Sequence, residues 1–198
     1  MTQNPADVAF TPAIKAAQKR KGSRAIYEGM EMGQSIDDRL ATFIAGVRSF
    51  YLATASADGQ PYIQHRGGPP GFLHVLGERS LGFADFKGNR QFITTGNLAE
   101  NPKAYIFLMD YAHRQRIKIW GTARVVEGDT ELAQRLTLDG YRARAEQVIL
   151  FEVDAWDSNC PQHIPQMFHS DDVRQALEER DATIARLGQE LAALRSEQ

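Results

Sequence analysis

The chain has 198 residues, of which 42% are hydrophobic, so it is long enough to bury a substantial core in a globular domain. Its 23 Lys and Arg residues nearly balance its 25 Asp and Glu residues, and the formal net charge is -2. This balance argues against binding to nucleic acid or to an anionic membrane, since both depend on excess positive charge. The single cysteine, Cys160, excludes a disulfide within the chain.

The N-terminus has neither the basic segment nor the apolar segment of a secretory leader. The longest apolar runs, such as LATFIAGV, are far shorter than the ~20 residues that a helix needs to cross a bilayer. We therefore expect a cytoplasmic protein that does not span a membrane.

Two helices are predicted before the first strand. In TPAIKAAQKRKGSR, Thr11 is a favourable cap, proline follows at the first helical position, and Gly22 is a typical stop. In SIDDRLATFIAGV, Ser35 is the expected cap, and apolar residues recur at helical spacing up to Val47. Residues 1–34 are assigned to an N-terminal helical segment.

From Ser49 the apolar pattern changes to the period of two that is typical of strands. The predicted strands are SFYLATAS, QPYIQHR, FLHVL, SLGFADF, AYIFLMD, RIKIWGTARVVE and QVILFEVDAW. Asp58-Gly59 predicts a tight turn between the first two, and DTELAQRLTLDG predicts a short helix. About seven antiparallel strands with marginal helices indicate a closed or partly closed β-barrel, and the lack of strict βαβ alternation argues against a Rossmann fold.

The tail has a different pattern from the strand region. Apolar residues follow a heptad seam from Val173 to Leu194, which predicts a C-terminal amphipathic helix that packs against the body or another subunit. Arg180 interrupts the seam, and Gly188 weakens the helix by ~1 kcal/mol. Residues 159–198 are therefore assigned to a linker and this helix.

Three polar clusters adjoin predicted strands, so folding can bring them together. They are QHRGGPPG at 64–71, DFKGNRQ at 85–91 followed by TTGN at 94–97, and HRQR at 113–116. Arginines supply cationic donors, and glycines let backbone N–H groups approach a ligand, so the shared chemistry is anion binding. A helix that begins near Asn89 and Arg90 would place both at its N-terminus, where the helix dipole favours phosphate.

The ordered motifs GQPYIQHR, FADFKGNRQ, NP and RQRIKIWGTARV resemble the pyridoxamine 5′-phosphate oxidase-like superfamily of FMN-binding split barrels over roughly residues 42–128. The resemblance implies a mainly β fold, an antiparallel Greek-key split barrel with flanking helices, for residues 35–158. It also implies FMN as the cofactor and a homodimer with flavin sites at the subunit interface. No match to the substrate-binding C-terminal part of the true oxidase follows residue 128, so pyridoxamine phosphate is not the expected substrate.

The resemblance also assigns binding roles, which are carried over position by position. The segment lining the ribityl chain and the flavin ring corresponds to Gln64, His65, Arg66, Gly67 and Gly68, and the backbone near the ring to Ala84 and Asp85. The phosphate triplet corresponds to Asn89, Arg90 and Gln91, with Lys87 in support; Thr95 and Asn97 would add donors or cap the helix. Arg116 and Gln115 are expected to reach the flavin bound mainly by the other subunit.

Alternative roles remain open for several of these residues. For Arg90 the alternative to phosphate binding is an ordinary ion pair at a helix start, and for Arg66 it is a position facing water. His65 is expected to make a structural contact rather than to act as an acid or a base. Trp120 and Trp156 are expected to pack rather than stack on flavin. Cys160, His163 and His169 are too few for a closed zinc site, so no metal is expected, and a Cys–His nucleophile lacks an orienting third group.

The sequence thus favours an FMN-dependent oxidoreductase that acts on an unknown small molecule. The alternative is a non-catalytic module that holds flavin, or another anionic cofactor such as haem or a deazaflavin, for storage or sensing. In either case no side chain is assigned as an acid or a base, because flavin itself carries hydride or electrons.

Overall fold

The computed structural model describes residues 5–158 and 161–196, so Cys160 lies outside the described residues. After a 3-10 helix at Pro5–Val8, the helices are α1 (Pro12–Lys21), α2 (Arg24–Tyr27), α3 (Asp38–Gly46), α4 (Ile93–Glu100), α5 (Thr130–Arg135) and α6 (Ser170–Ser196). The strands are β1 (Ser49–Ala55), β2 (Pro61–Gly67), β3 (His74–Val75), β4 (Ser80–Phe86), β5 (Lys103–Asp110), β6 (Gln115–Glu127) and β7 (Ala145–Ser158).

The strands form one antiparallel sheet in the order β2-β1-β5-β6-β7-β4-β3. The β1–β2 hairpin turns at Gly59, whose φ of 91° is the left-handed conformation that the Asp58-Gly59 pair predicts. Alternate residues of β6 from Ile117 to Ala123 are buried, as the period of two predicts. The predicted mainly β fold with flanking helices is confirmed.

The two ends of this sheet meet in space, although they are far apart in the strand order. Arg66 on β2 forms an ion pair with Asp85 on β4, and the Phe50 ring on β1 packs edge-to-face against Phe83 on β4 with centroids 5.1 Å apart. The sheet therefore curls around a core that includes Leu52, Ile106, Ile119 and Ile149. This curl is the partly closed barrel predicted from the strand pattern.

Helix α1 matches its prediction, but the start of α3 does not. Thr11 caps α1 by accepting from Ile14 N at 3.4 Å, and Gly22 ends it at a φ of 77°. Helix α3 is capped by Asp37, whose Oδ1 accepts from Leu40 N at 2.8 Å, so the prediction of Ser35 as the cap was wrong. The Ser35 carbonyl instead accepts from Trp156 Nε1 at 2.8 Å, which keeps Ser35 outside the helix.

Helix α4 also begins later than predicted. The Asn89 side chain accepts from Gln91 N at 3.2 Å and forms a local turn, while Arg90 and Phe92 adopt left-handed φ values of 58° and 53°. These conformations cannot continue into a helix, so α4 starts only at Ile93. Asn89 and Arg90 therefore lie in the loop between β4 and α4, not at a helix N-terminus as predicted.

The N-terminal segment packs on the outer face of the sheet. Ala6, Met32 and Ala155 form a small buried cluster against which the Trp120 side chain packs. Gly33 pairs with Trp156 through two backbone hydrogen bonds of 3.0 and 2.8 Å. A Cβ at Gly33 would lie 2.2 Å from Trp156 Nε1, so only glycine allows this close approach.

The chain divides into two compact units. One contains the residues up to Asp110 together with Gln115–Pro161, and the other contains Tyr111–Arg114 together with the residues from Gln162 onward. The predicted boundaries at residues 34 and 158 stay predictions. In α6 every residue from 170 to 196 is exposed. In the described part of the chain, no helix is long and apolar enough to cross a membrane.

Candidate functional site

A cleft lies between β2, the end of β4 and the loop that leads into α4. It is shallow, and its empty space of about 390 Å³ includes the open solvent at its mouth. Its lining residues are Tyr62, Gln64, Arg66, Asp85, Phe86, Gly88, Asn89, Arg90, Gln91, Phe92, Ile93, Thr94, Thr95 and Glu146. We call this region the β2–α4 cleft.

Strand alternation decides which β2 residues reach the β2–α4 cleft. Gln64 and Arg66 line it, whereas His65 points to the opposite face of the strand, where its ring packs edge-to-face against Tyr51 at 5.7 Å. Position 68 requires glycine, because a Cβ there would lie 2.6 Å from the Phe72 ring. Of the predicted segment Gln64–Gly68, the structure therefore brings two side chains to the cleft.

Arg66 and Asp85 form the innermost charged pair of the cleft. Their side chains are only 11% and 13% exposed, and the Arg66 guanidinium also lies 5.8 Å from the centroid of the Phe83 ring. Arg66 Nε is buried and has no hydrogen-bond partner among the described residues. An unpaired buried donor costs about 1–3 kcal/mol, so a ligand acceptor at this atom would recover that energy.

Gln147 on β7 holds this pair in place. Its Nε2 donates to Asp85 Oδ2 at 2.8 Å and to Thr95 Oγ1 at 2.9 Å. Thr94 Oγ1 donates to Gln64 Oε1 at 2.8 Å. These bonds join β2, β4, β7 and α4 around the cleft, and they fix the orientation of the polar groups that line it.

The outer rim of the cleft is formed by the loop from Gly88 to Phe92. Arg90 is 59% exposed; its Nε lies 3.4 Å from Glu146 Oε1, and its guanidinium lies 5.5 Å from the centroid of the Phe92 ring. Left-handed backbone at a residue other than glycine costs about 1–3 kcal/mol, and such strain concentrates at ligand sites. Two strained residues, Arg90 and Phe92, therefore support a binding role for this loop.

Several predicted site residues do not line the cleft. Asn97 is buried and donates to Thr54 Oγ1 at 3.0 Å, so its amide joins α4 to β1. Ala84 is buried within β4, and the Lys87 backbone N–H donates to Arg144 O at 2.9 Å. The structure brings Gln64, Arg66, Asp85, Asn89, Arg90, Gln91 and Thr95 together from the predicted set.

Gln115 and Arg116 begin β6 and also lie outside the cleft lining of their own chain. Arg116 Nε is buried, and none of the described residues accepts a hydrogen bond from it. Burial raises the pKa of the neighbouring Tyr105 to about 12; the Asp157 carboxylate adds to the increase and the Arg116 charge opposes it.

The outer face of β6 is partly covered by the chain itself. Trp120 packs against the buried cluster of Ala6, Met32 and Ala155. Its ring also meets Tyr105 edge-to-face with centroids 5.2 Å apart, and Lys118 Nζ pairs with Asp157 Oδ2 at 2.9 Å. Trp156 is buried in the core. Both tryptophans therefore serve packing in this chain, as expected.

Sequence reasoning assigned no site role to Gln147 or to several of the lining residues. Phe86, Gly88 and Thr94 lie within the polar clusters that the sequence singles out, whereas four lining residues lie outside them: Tyr62, Phe92, Ile93 and Glu146. Gln147 is a polar residue at the start of an apolar strand and lies opposite Asp85 in the sheet register. A polar residue in an apolar strand suggests a specific contact, but only the pairing of β4 with β7 shows that the contact is with Asp85.

No group of three or more His, Cys, Asp or Glu side chains that could hold a metal ion occurs in residues 5–158 and 161–196. His163 and His169 are exposed. The prediction that no metal is bound considered Cys160, which lies outside the described residues, so it stays a prediction.

Replacing Arg66 with methionine should destabilise the fold by about 3–5 kcal/mol, because Asp85 would remain as a buried carboxylate without its cation. Replacing Arg90 with methionine should change the unfolding free energy by less than about 1 kcal/mol, because its pair with Glu146 is exposed. Urea denaturation of both variants measures this difference. Equal effects would show that the Arg66–Asp85 pair does not hold the two sheet ends together.

Comparison with known proteins places the chain in a family. A family model described as pyridoxamine 5′-phosphate oxidase matches residues 36–160, which is more than half of the chain. This range extends past both ends of the motif resemblance, which covers roughly residues 42–128. No curated protein matches the chain.

Among solved structures, HupZ of Group A Streptococcus is 19% identical, with coverage of 67% of this chain and 99% of HupZ and a TM-score of 0.52. A putative pyridoxamine 5′-phosphate oxidase from Lactobacillus delbrueckii is 18% identical, with coverage of 63% and 95% and a TM-score of 0.49. An FMN-binding protein from Syntrophomonas wolfei is 15% identical, with coverage of 75% and 97% and a TM-score of 0.48. The HupZ likeness shows a shared fold alone, whereas the family match shows that this chain belongs to the pyridoxamine 5′-phosphate oxidase family.

Proposed function

We propose that the protein is an FMN-dependent oxidoreductase and that the β2–α4 cleft holds the phosphate end of FMN. The observation that carries the proposal is the buried Arg66 guanidinium, whose Nε has no hydrogen-bond partner within residues 5–158 and 161–196 and which lies beside a loop rich in hydrogen-bond donors. Family membership supports flavin as the ligand. The substrate is a small molecule whose identity the cleft does not specify.

The donors of the cleft suit a phosphate group. The Thr95 hydroxyl accepts from Gln147 and can still donate, and Asn89 presents a side-chain amide, whereas the Thr94 hydroxyl already donates to Gln64. Ile93 and Thr94 begin α4, where backbone N–H groups lack helical acceptors and the helix dipole favours negative charge. A phosphate at this point would meet side-chain and backbone donors together.

The charges of the cleft require one rearrangement before a dianion can bind. Arg66 and Arg90 are balanced by Asp85 and Glu146, so the lining as it stands is neutral. The Arg90–Glu146 pair is exposed and therefore weak, so Arg90 can leave it for a phosphate oxygen at little cost. Arg66 keeps its pair with Asp85 and offers the remaining buried Nε–H. On these grounds the residues fit the phosphate of FMN.

FMN, when bound, supplies hydride or electron transfer. The residues of this chain would bind and orient it: Arg90, Asn89 and Thr95 would hold the phosphate end, while Arg66, Asp85 and Gln147 fix the wall of the cleft. A module that binds an anionic cofactor without catalysis is the alternative, and the redox measurement below separates the two.

We also propose that the flavin site is completed by a second subunit. The family resemblance assigns Gln115 and Arg116 to the flavin, yet neither lines the cleft of its own chain. The observation that supports a ligand there is the buried Nε of Arg116, for which the described part of the chain offers no acceptor. In a two-fold dimer each subunit would contribute Arg116 to the other's cleft, which gives two equivalent sites.

Arg90→Ala should weaken FMN binding about 10–100-fold, because it removes a charge-assisted hydrogen bond worth ~1.5–3 kcal/mol. Riboflavin has no phosphate, so its affinity should be the same in the parent and in the variant. Flavin fluorescence titration measures both affinities, with the exposed Arg135→Ala as the matched control.

In the same samples, flavin bound to the parent should be reduced by NADH or NADPH and reoxidised by air or an added acceptor. Unchanged FMN affinity in Arg90→Ala, or equal losses for FMN and riboflavin, would remove the phosphate assignment. Flavin that binds but is never reduced would establish the non-catalytic alternative.

Mixing Arg90→Ala with Arg116→Ala tests the shared site. Each variant alone should bind FMN poorly, whereas a mixed dimer should have one cleft with both defects and one with neither. About half of the sites in exchanged dimers should therefore recover flavin. Differently tagged subunits would verify exchange, and absence of recovery after exchange would place both arginines in one subunit's site.

A further inference from the structure

Helix α6 presents a long apolar face to solvent. The helix spans Ser170–Ser196, which is about 40 Å at 1.5 Å per residue. Its large apolar residues are 44–63% exposed: Val173, Leu177, Ile184, Leu187, Leu191 and Leu194. Exposing an apolar face of this length to water is unfavourable, so we expect another surface to cover it.

The spacing of this face is that of a coiled coil. Leu177, Ile184 and Leu191 fall on the first position of successive heptads, and Leu187 and Leu194 fall on the fourth. A repeat of 3.5 residues keeps one stripe facing a partner helix along its whole length, whereas the period of 3.6 would drift around the helix. The partner is therefore another helix with the same repeat.

We propose that α6 pairs with α6 of a second copy of this chain, in parallel and in register, as a two-stranded coiled coil. This inference does not depend on the proposed flavin chemistry, but it rests on the subunit association proposed above. The charges that flank the seam select the orientation. In a parallel pair, Glu190 of one helix lies beside Arg195 of the other, and this attraction occurs twice. In the antiparallel pair that matches Leu177 with Leu194, Arg174 would lie near Arg195 at both ends.

Arg180 sets the register of the pair. It occupies the fourth heptad position between Leu177 and Ile184, and in its own helix its Nη2 lies 3.3 Å from Asp181 Oδ1. In register, the two Arg180 side chains share one layer that both Asp181 carboxylates flank. A shift by one heptad would set each arginine against an apolar layer. A single polar layer of this kind lowers stability but specifies register and the number of strands.

A second copy explains the seam better than an unrelated protein does, because one flanking pair, Glu190 and Arg195, is complementary between two copies of this same sequence. Three heptads with one polar layer are marginal for free helices. They become sufficient when the rest of the chain also associates, since tethering raises the effective concentration of the two helices.

Disulfide trapping tests the pairing in the full-length protein. In a Cys160→Ser background, Leu191→Cys places a thiol on the seam, and Gln189→Cys places one on the opposite face as the matched control. In a parallel pair the two seam cysteines are within disulfide reach, about 6 Å between Cα atoms. In the antiparallel pair they would be about 16 Å apart. Under mild oxidation, Leu191→Cys should form covalent dimer at least tenfold faster than Gln189→Cys.

A second seam variant, Leu177→Cys, should behave like Leu191→Cys, which guards against a local effect of one substitution. Far-UV circular dichroism would verify that each variant keeps its helix. Equal rates for the seam and control variants would overturn the pairing. Faster trapping in a mixture of Leu177→Cys and Leu194→Cys than in either alone would overturn the parallel orientation.

Discussion

The ion pair between Arg66 and Asp85 is the constraint on which the site depends. It joins two strands that stand near opposite ends of the sheet order, and it is nearly buried. Isolated charges are costly to bury, so each partner of the pair fixes the other. The curl of the sheet, the separation of β2 from β4 and the shape of the cleft between them all follow from this contact and the Phe50–Phe83 packing beneath it.

Gln147 extends this constraint to a third strand and a helix. Because its amide donates to both Asp85 and Thr95, the carboxylate that holds Arg66 also positions the first turn of α4. The rim is less constrained, since the Arg90–Glu146 pair is exposed. The cleft thus combines a rigid inner wall with an outer cation that is free to change partners, which is an arrangement suited to admitting an anionic ligand.

The sequence predicted the features that depend on local chemistry. The period of two located the strands, and Gly22 and Asp58-Gly59 located a helix end and a hairpin. The sequence does not determine where each helix starts, because several residues near the start are good caps: Ser35, Asp37 and Asn89. The contacts of the folded chain decide which residue forms the cap. Asp37 bonds to Leu40 N, whereas Ser35 is engaged by Trp156, 121 residues away.

The candidate site was predicted only in part, for the same reason. Sequence motifs pointed to Arg66, Asp85 and Arg90, but they did not reveal that Arg66 and Asp85 pair with each other. Gln147 is 62 residues from Asp85 and 52 from Thr95, so its role arises from strand pairing alone. Asn97 shows the converse: its type suits a phosphate site, yet burial directs it to Thr54.

A crystal structure of the protein grown with FMN is the most direct test of the central claim. The account predicts a phosphate in the β2–α4 cleft, with an oxygen about 2.7–3.2 Å from Arg66 Nε and a second from Arg90, and with the Arg90–Glu146 pair broken. A flavin bound elsewhere, with that pair intact and Arg66 Nε still without an acceptor, would contradict it.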